Sequence, residues 1–363
     1  KTSQSTGAYA DVLPNPDITW ETSEQLNIGF DSRFFDQRLG INFDWYNKTT
    51  KDWLVRAPIL LSYGTDAPFI NGGDVENKGV ELAVSWNERI GDLTYGINAN
   101  MSMNDNEVTR IANDEGIIHG EPNVLSQGTT EMYRAEEGFP IGYFWGYKTA
   151  GIFQTQEQVN NAETTLQENP QPGDVIFVDT NDDGVINVDD KTMIGNPHPD
   201  LEMGLGLNVS YKGFDISANA TGAFGQQIAK SYRSFADSKK QNYTTDIFKR
   251  WHGEGTSNSF PRLTGGTHFN RQEISDIYIE DGDYVKIQNV TFGYDFKKLA
   301  PDMPFGQARV YVAGRNLYTF TDYSGMDPEV GYGYEDDSNW SSGIDLGFYP
   351  APRTFLLGVN LKF

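Results

Sequence analysis

One segment carries oxygen-bearing side chains at the spacing of a loop that wraps around a hard cation. The segment DTNDDGVINVDD spans residues 179–190 and has Gly184 at its sixth position, where such loops turn sharply. Its candidate ligands fall at positions 1, 3, 5, 7 (through the backbone carbonyl) and 12 of the loop: Asp179, Asn181, Asp183, Val185 and Asp190. We predict a structural Ca²⁺ site that pins a long external connection.

Asp190 departs from the EF-hand pattern, because a bidentate glutamate normally occupies the twelfth position. The segment is closer to a dockerin-type loop, and the shorter aspartate requires a slightly different loop path. The alternative is a turn that carries no ion, since Asn, Asp and Gly favour tight turns by themselves. In both interpretations the role of the segment is structural.

Aromatic side chains in the same long connections are candidates for substrate contact. Aromatic faces stack on sugar rings and on peptide side chains, and they often line ligand cavities. The predicted substrate-binding residues are Tyr143, Trp145, Tyr323 and Trp340. Packing within the loops, or against a partner that covers them, is the alternative.

No pattern in the sequence predicts catalysis. The chain has no cysteine, so thiolate metal sites and cysteine nucleophiles are excluded. The histidines, at positions 119, 198, 252 and 268, lack a close metal-binding spacing, and no nucleophile elbow or P-loop is present. The carboxylate run at 335–337 is typical of a solvated loop tip rather than a glycosidase pair. We predict that the chain is not an enzyme.

Composition favours a large β-structure. Aromatic residues make up 13% of the 363 residues, which argues against disorder, and the 38 glycines fit a β-structure with many turns. The formal net charge of −23 argues against nucleic-acid binding, which needs an excess of lysine and arginine. No apolar run approaches the ~18–20 residues of a membrane helix, but a barrel strand needs only about 9–11 alternating residues.

Alternating apolar and polar residues predict nine strands. In one of them, Leu205 and Leu207 alternate with Gly206 and Asn208. The predicted limits are 20–33, 38–54, 76–88, 92–105, 201–211, 213–224, 283–296, 307–319 and 353–363. The connections between these strands are alternately short and long, as in outer-membrane barrels with short periplasmic turns and long external loops. The fold class is therefore an all-β, antiparallel transmembrane barrel with long extracellular loops.

The strand count and the loop parity lead to two further expectations. Residues 142–153 could form another strand, but a wall position would put a long connection on the periplasmic side, so we expect an excursion within an external loop. Nine strands do not make the even-numbered wall of a single-chain bacterial barrel, and an open edge is costly in lipid. Residues 1–363 should therefore be one part of a larger barrel.

Several segments, in order along the chain, resemble the SusC-like TonB-dependent outer-membrane transporters. The chain ends on an alternating strand with a terminal aromatic, as outer-membrane barrels do. The segments that carry the resemblance are NPDITWETSEQLNIGFD with FFDQRLGINFDWYNKTTKDWL, GGDVENKGVELAVSW, DTNDDGVINVDDKTMIGNPHPDLEMGLGLNVSYKGFDISANATGAFG, and EDGDYVKIQNVTFGYDF with ARVYVAGRNLYTFTDYSGMDPEV.

The resemblance implies a barrel of about 22 strands with an N-terminal plug, of which this chain is the C-terminal share. It implies import of glycan or peptide oligomers across the outer membrane together with a SusD-like surface lipoprotein. Contact with TonB would be made by the N-terminal part, including the plug, which this chain lacks. The residues leave two other interpretations open: a soluble, calcium-stabilised, β-rich glycan-binding module, and a glycoside hydrolase.

Overall fold

The computed structural model describes residues 11–57, 64–66, 68–125, 128–162, 166–231, 243–265, 268–330 and 341–363. These residues form eighteen strands, numbered β1 to β18 in chain order, of which nine make one large antiparallel sheet. In spatial order the nine are β1 (Thr22–Phe34), β2 (Leu39–Arg56), β3 (Phe69–Ile90), β4 (Leu93–Ile111), β11 (Leu201–Tyr211), β12 (Phe214–Phe224), β15 (Tyr284–Asp295), β16 (Gln307–Thr321) and β18 (Thr354–Lys362).

The nine predicted wall strands are thus confirmed, and each pairs with its neighbour along the predicted order. The main difference is length: β3 begins at Phe69 rather than at residue 76, and β4 ends at Ile111 rather than at residue 105. The alternation fades there for two reasons. Irregular pairing interrupts the register near Trp53 and Asp74, and the apolar face gives way to charged residues such as Lys78.

The large sheet has an apolar face and a polar face. In register, Leu205 pairs with Ala99 and Ala220, whereas Gly206 pairs with Asn98 and Asn219. Large apolar side chains stand open on the apolar face; in β18, Phe355 is 75% exposed and Leu357 76% exposed. An apolar face of this kind requires a cover other than water.

Short turns join the strands at one end of the sheet, the short-turn end. β11 and β12 are joined by Lys212 and Gly213, which both have positive φ (46° and 94°), as type I′ hairpin turns require. At the opposite end, the long-connection end, residues 57–68, 112–200, 225–283 and 322–353 connect the strands. The predicted alternation is therefore present, although the connection at residues 296–306, at the short-turn end, is nearly as long as the one at residues 57–68.

The long connections contain small sheets and short helices. Strands β5 (Ile117–His119), β6 (Tyr133–Glu136), β7 (Tyr143–Gly146) and β10 (Thr192–Gly195) form one sheet, and β8 (Thr149–Ile152) pairs with β9 (Val175–Phe177). A third sheet joins β13 (Gln227–Lys230), β14 (Ile279–Asp281) and β17 (Ile344–Asp345). Because β7 and β8 lie outside the large sheet, the predicted excursion at residues 142–153 is confirmed.

Among the described residues, two short α-helices, α1 (Gln156–Asn161) and α2 (Phe269–Gln272), lie in the long connections. The 3₁₀ turns in the same described ranges span Val188–Asp190, Thr245–Lys249, Asp276–Tyr278 and Phe296–Lys298. Helix α1 begins with a capping box, in which Thr155 accepts from the backbone N–H of Gln158. No helix among the residues described is both long and apolar enough to cross a membrane.

Candidate functional site

Three long connections pack into one body at the long-connection end of the sheet. Phe144 from the β4–β11 connection, Ile274 from β12–β15 and Ile344 from β16–β18 belong to one core, and each is 0% exposed. A second core around Tyr147 and Phe177 lies beside it. Loops that share a buried core hold their outer side chains in fixed positions, as a ligand-binding surface requires.

The predicted ion loop adopts the expected winding. Gly184 has φ +83°, so the sharp turn at the sixth position is present. Asp179 Oδ2 accepts a hydrogen bond from the Gly184 N–H at 2.7 Å, and Asn181 Oδ1 accepts from the Asp183 N–H at 2.9 Å. Asp183 Oδ1 accepts from the Val185 N–H at 2.8 Å. The side chains at positions 1, 3 and 5 therefore close the loop on itself.

Asp190 fastens the end of the loop to its beginning. Its carboxylate is 0% exposed and accepts from the Thr180 N–H and the Asn187 N–H, both at 2.8 Å. Burial alone would raise the pKa of Asp190, but the N–H donors of Asn187, Thr180 and Asn181 outweigh it and hold that pKa below its usual value. Asp190 is thus a buried anion that is stabilised by backbone dipoles.

The donor set suits a hard cation in kind, since carboxylate, amide and carbonyl oxygens are the ligands Ca²⁺ takes. Within the described ranges, no three His, Asp or Glu side chains converge as a metal-binding group, because the loop carboxylates turn toward backbone N–H groups. The Ca²⁺ site therefore stays a prediction. The alternative is a turn that carries no ion, and the hydrogen bonds within the loop are those that such a turn requires.

Two of the predicted substrate-binding tyrosines lie inside the packed loops. Tyr143 is 1% exposed, donates its hydroxyl to Glu136 at 2.5 Å and stacks on Phe139. Burial and Glu136 raise the pKa of Tyr143. Tyr323 is 5% exposed and donates its hydroxyl to Asp345 at 2.6 Å. Both have the packing roles that the sequence left open as the alternative, and ligand contact by either stays a prediction.

Of the other two predicted aromatic residues, Trp145 lies among the described residues. Trp145 is partly exposed and contacts two cations, with the Arg134 guanidinium 3.3 Å and the Lys191 ammonium 4.8 Å from the centre of its ring. Both cations are close enough to be attracted by the ring. Trp340 and the carboxylate run at 335–337 lie outside the described residues.

A cavity on the polar face of the sheet was not predicted. It has a volume of about 710 Å³, and strands from β2 to β15 contribute amides, hydroxyls and carboxylates to its lining. The acidic members from the sheet are Asp44, Glu81 and Glu202, which occupy one row of the register. In the sequence, nothing distinguishes these three residues from other polar residues on the predicted strands. Only the pairing of the strands places them in one row.

Glycines on the polar face allow neighbouring polar side chains to lie flat. A Cβ at Gly206 would meet Asn98 Oδ1 at 2.4 Å, and a Cβ at Gly358 would meet the Tyr311 ring at 2.3 Å. Each glycine is the register partner of the residue that covers it. The many glycines in the predicted strands therefore have a specific use, which is to keep polar side chains close to the wall.

Known receptor proteins resemble this chain along nearly its whole length. The sequence model of the family described as TonB dependent receptor-like, beta-barrel matches residues 2–317. TonB-dependent receptor P3 of Formosa agariphila is 34% identical over 99% of this chain and 36% of its own length. TonB-dependent receptor SusC of Bacteroides thetaiotaomicron is 28% identical over 96% of this chain and 32% of its own length.

Solved structures give the same architecture. The structure of the RagAB peptide transporter matches with a TM-score of 0.75 at 22% identity and covers 96% of this chain and 36% of that chain. The RagAB peptide importer in the closed-closed state matches with a TM-score of 0.73 at 23% identity. At this level of identity the match shows the fold.

The chain belongs to the TonB-dependent receptor-like β-barrel family. The predicted SusC-like barrel portion and the predicted all-β fold class are confirmed, and the chain corresponds to the C-terminal portion of longer relatives. It spans about a third of the length of those relatives, at 36% of receptor P3 and 32% of SusC.

Proposed function

We propose that the chain forms part of the wall and of the external loops of an outer-membrane, TonB-dependent importer of glycan or peptide oligomers. The observation that carries this proposal is the nine-stranded sheet with one apolar and one polar face and with all long connections at one end. Lipid covers the apolar face, and the polar face lines the passage. The chain itself carries no catalytic role.

The similarity to SusC and to the RagAB peptide transporter supports glycan or peptide oligomers as the proposed substrates. Both glycans and peptides present many hydroxyl or amide groups. The polar face offers amides and hydroxyls such as Asn42, Ser102 and Thr221 around the cavity, which can exchange hydrogen bonds with either class. Specificity for a particular sugar or peptide sequence would come from the loops rather than from the polar face.

The partners follow from the same proposal. A SusD-like surface lipoprotein would cover the long-connection end, and the plug, with the remaining N-terminal strands, would supply the contact with TonB. Both edge strands of the sheet, β1 and β18, are unpaired on one side among the described residues. The remaining strands of the full protein would pair with these edges, because an unpaired edge is costly in lipid.

A deletion in the native host tests this function. Loss of the gene for the full-length protein should abolish uptake of either a labelled starch oligosaccharide mixture or a tryptic digest of casein, and uptake should also require TonB. A strain with a deleted unrelated TonB-dependent receptor is the control. Extraction of the protein from cells without detergent would contradict the membrane assignment and favour the soluble glycan-binding module.

We also propose that the loop at residues 179–190 binds Ca²⁺. The winding at Gly184 and the anionic state of Asp190 support the proposal. Chelation of Ca²⁺ from the full-length protein should then accelerate proteolysis within residues 170–200. Asp179→Asn should reproduce the chelated state, whereas Asp182→Asn, at the non-ligand fourth position, is the matched control. Equal cleavage of this loop in chelator and in calcium would leave the ion-free turn as the answer.

A further inference from the structure

A short segment after β16 turns back onto the polar face of the sheet. This segment, residues 322–330, is called the strap. Its Glu329 carboxylate accepts hydrogen bonds from the Tyr284 hydroxyl at 3.3 Å and from Gln288 Nε2 at 3.2 Å. Gln288 also donates to Thr221 Oγ1 of β12 at 3.0 Å. The strap therefore reaches into the space that the polar face lines.

One buried lysine of the sheet holds the strap in place. Lys286 of β15 is 3% exposed, and its ammonium contacts Glu329 directly and Asp327 Oδ2 at 3.6 Å. A buried ammonium without its carboxylate partners is strongly disfavoured. The position of the strap on the polar face therefore depends on Lys286.

The other end of the strap is fastened to the small sheet β14-β13-β17. The ammonium of Lys230, itself 2% exposed, donates to Ser324 Oγ at 2.6 Å. The Ser324 N–H and hydroxyl donate to the Glu280 carboxylate at 3.0 and 2.9 Å. Both ends of the strap are thus held by polar groups around a buried lysine.

These attachments place the strap beside the cavity. Glu329 lines the cavity of about 710 Å³ together with Asp44, Glu81 and Glu202 of the sheet. A strap in this position takes up part of the passage. The carboxylates of the strap are held by ion pairs and hydrogen bonds, which water can replace on release, whereas the Tyr323 side chain near its start is buried.

We propose that the strap is a gate on the passage, that Lys286 is its latch, and that the strap leaves the polar face when substrate passes. This inference rests on the proposed import function. The position in the structure is the latched one. Passage of an oligomer would break the Lys286–Glu329 contact and rehydrate both groups, and the contact would form again after release.

Reversible cross-linking of the full-length transporter tests the gate. The chain has no cysteine, so Gln288→Cys with Glu329→Cys adds one defined pair once any thiols elsewhere in the protein are replaced. A bifunctional maleimide with a cleavable disulfide then ties the strap to the wall. We expect loss of uptake of whichever of the two substrates, the casein digest or the starch oligosaccharides, the uncross-linked protein imports, and recovery after reduction.

A matched cross-link separates gating from mere obstruction by the reagent. Thr291→Cys with Ala313→Cys joins two register partners on the polar face without involving the strap, and uptake should continue. Unchanged uptake through the strap cross-link would overturn the gate while leaving the import function intact. Absence of TonB-dependent uptake by the uncross-linked wild-type protein would instead overturn the import function, and the gate with it.

A second measurement tests the latch without any added thiol. Lys286→Met should accelerate proteolytic cleavage within residues 322–330, because the strap carboxylates lose their partner. Arg33→Met removes a polar-face cation that bonds Asn42 rather than the strap, and it should leave that cleavage unchanged. Equal cleavage in the two variants would contradict the role of Lys286 as the latch.

Discussion

At the scale of single residues, the long connections require particular residue types at a few positions. Gly184 supplies a backbone conformation, Asp190 supplies a buried anion, and Lys191 next to it lies over the Trp145 and Tyr147 rings. Burial lowers the pKa of Lys191. Each of these residues stabilises a loop that has little regular secondary structure, which is why one substitution can have a measurable local effect.

Gly184→Ala tests the backbone requirement alone. No atom lies within 4 Å of the added Cβ, so the cost arises from φ +83° and should be about 1–2 kcal/mol. Cleavage of the 170–200 loop tracks its opening and should be about tenfold faster for each 1.4 kcal/mol. Gly253→Ala, in open space without positive φ, is the control. Similar cleavage rates in both variants would show that the turn is not strained.

His119 provides a prediction about pH. Burial disfavours its imidazolium, but Glu131 at 2.8 Å from Nδ1 and Glu115 at 3.1 Å from Nε2 outweigh burial and raise the pKa of His119 above its ordinary 6.5. Arg134, which also pairs with Glu131, faces the same cluster. A raised pKa in the folded loop means that the stabilisation is complete below the unfolded pKa and is lost as pH rises through the folded one.

The measurement compares His119→Gln with the wild-type protein by proteolysis of residues 112–136 at about pH 6 and about pH 9. The variant should be cleaved faster than the wild type at the lower pH, and the ratio of the two rates should approach one at the higher pH. Taking the ratio at each pH removes the pH dependence of the protease. A ratio that grows with pH would contradict the sign of the effect.

At the scale of elements, the strands are matched to their neighbours by small residues as well as by alternation. Polar side chains lie over glycines on the next strand, as Asn98 does over Gly206 and Tyr311 over Gly358. Such pairs fix the register, because a slip of one residue would put the side chain against a neighbour that has a Cβ. The polar side chains also stay close to the sheet, which would leave the proposed passage wide.

The pair of Tyr311 and Gly358 allows a double-mutant cycle in the full-length protein. Gly358→Ala should destabilise the barrel, because the added Cβ would lie 2.3 Å from the tyrosine ring. Tyr311→Ala in the same protein should relieve part of that loss, with a coupling of about 0.5–3 kcal/mol. The loss of the heat-modifiable band on denaturing gels measures barrel melting. Strictly additive effects would show that the ring does not occupy the glycine position.

At the scale of the whole molecule, the chain is a two-faced sheet with packed connections at one end, and it spans about a third of the length of its relatives. The large sheet separates an apolar surface from a polar one, and the three packed connections stand at one end. Neither surface is complete by itself, since relatives of this chain are about three times as long. Function at this scale therefore belongs to the full-length protein.

Spin labels test the two faces of the wall in the full-length protein in membranes. A nitroxide at Leu207→Cys should collide readily with oxygen, which concentrates in lipid. A nitroxide at Asn208→Cys, one residue further along the same strand, should prefer a water-soluble nickel chelate. Because the two labels differ by one position, depth and local flexibility are matched. The opposite preference would reverse the assignment of the two faces and would contradict the proposed barrel.

The sequence by itself determined the strands, their order and the parity of their connections. Strict alternation, as in Leu205 to Asn208, reports which face each side chain takes, because successive side chains in a strand point to opposite faces. The bounds of β3 were missed where irregular pairing near Asp74 breaks the alternation. The turn at Gly184 was also predictable, since position and residue type are both local properties.

Only the tertiary structure decided which distant residues meet. Phe144, Ile274 and Ile344 share one core, and Lys286 meets Glu329 across 43 residues of chain. No periodic pattern encodes such contacts, because loops fold by packing against one another rather than by a local repeat. The same reason explains why Tyr143 and Tyr323, predicted as substrate contacts from their residue type, are buried by loop packing, while ligand contact by either stays a prediction. Residue type gives the chemistry that a side chain can do, whereas packing decides what it faces.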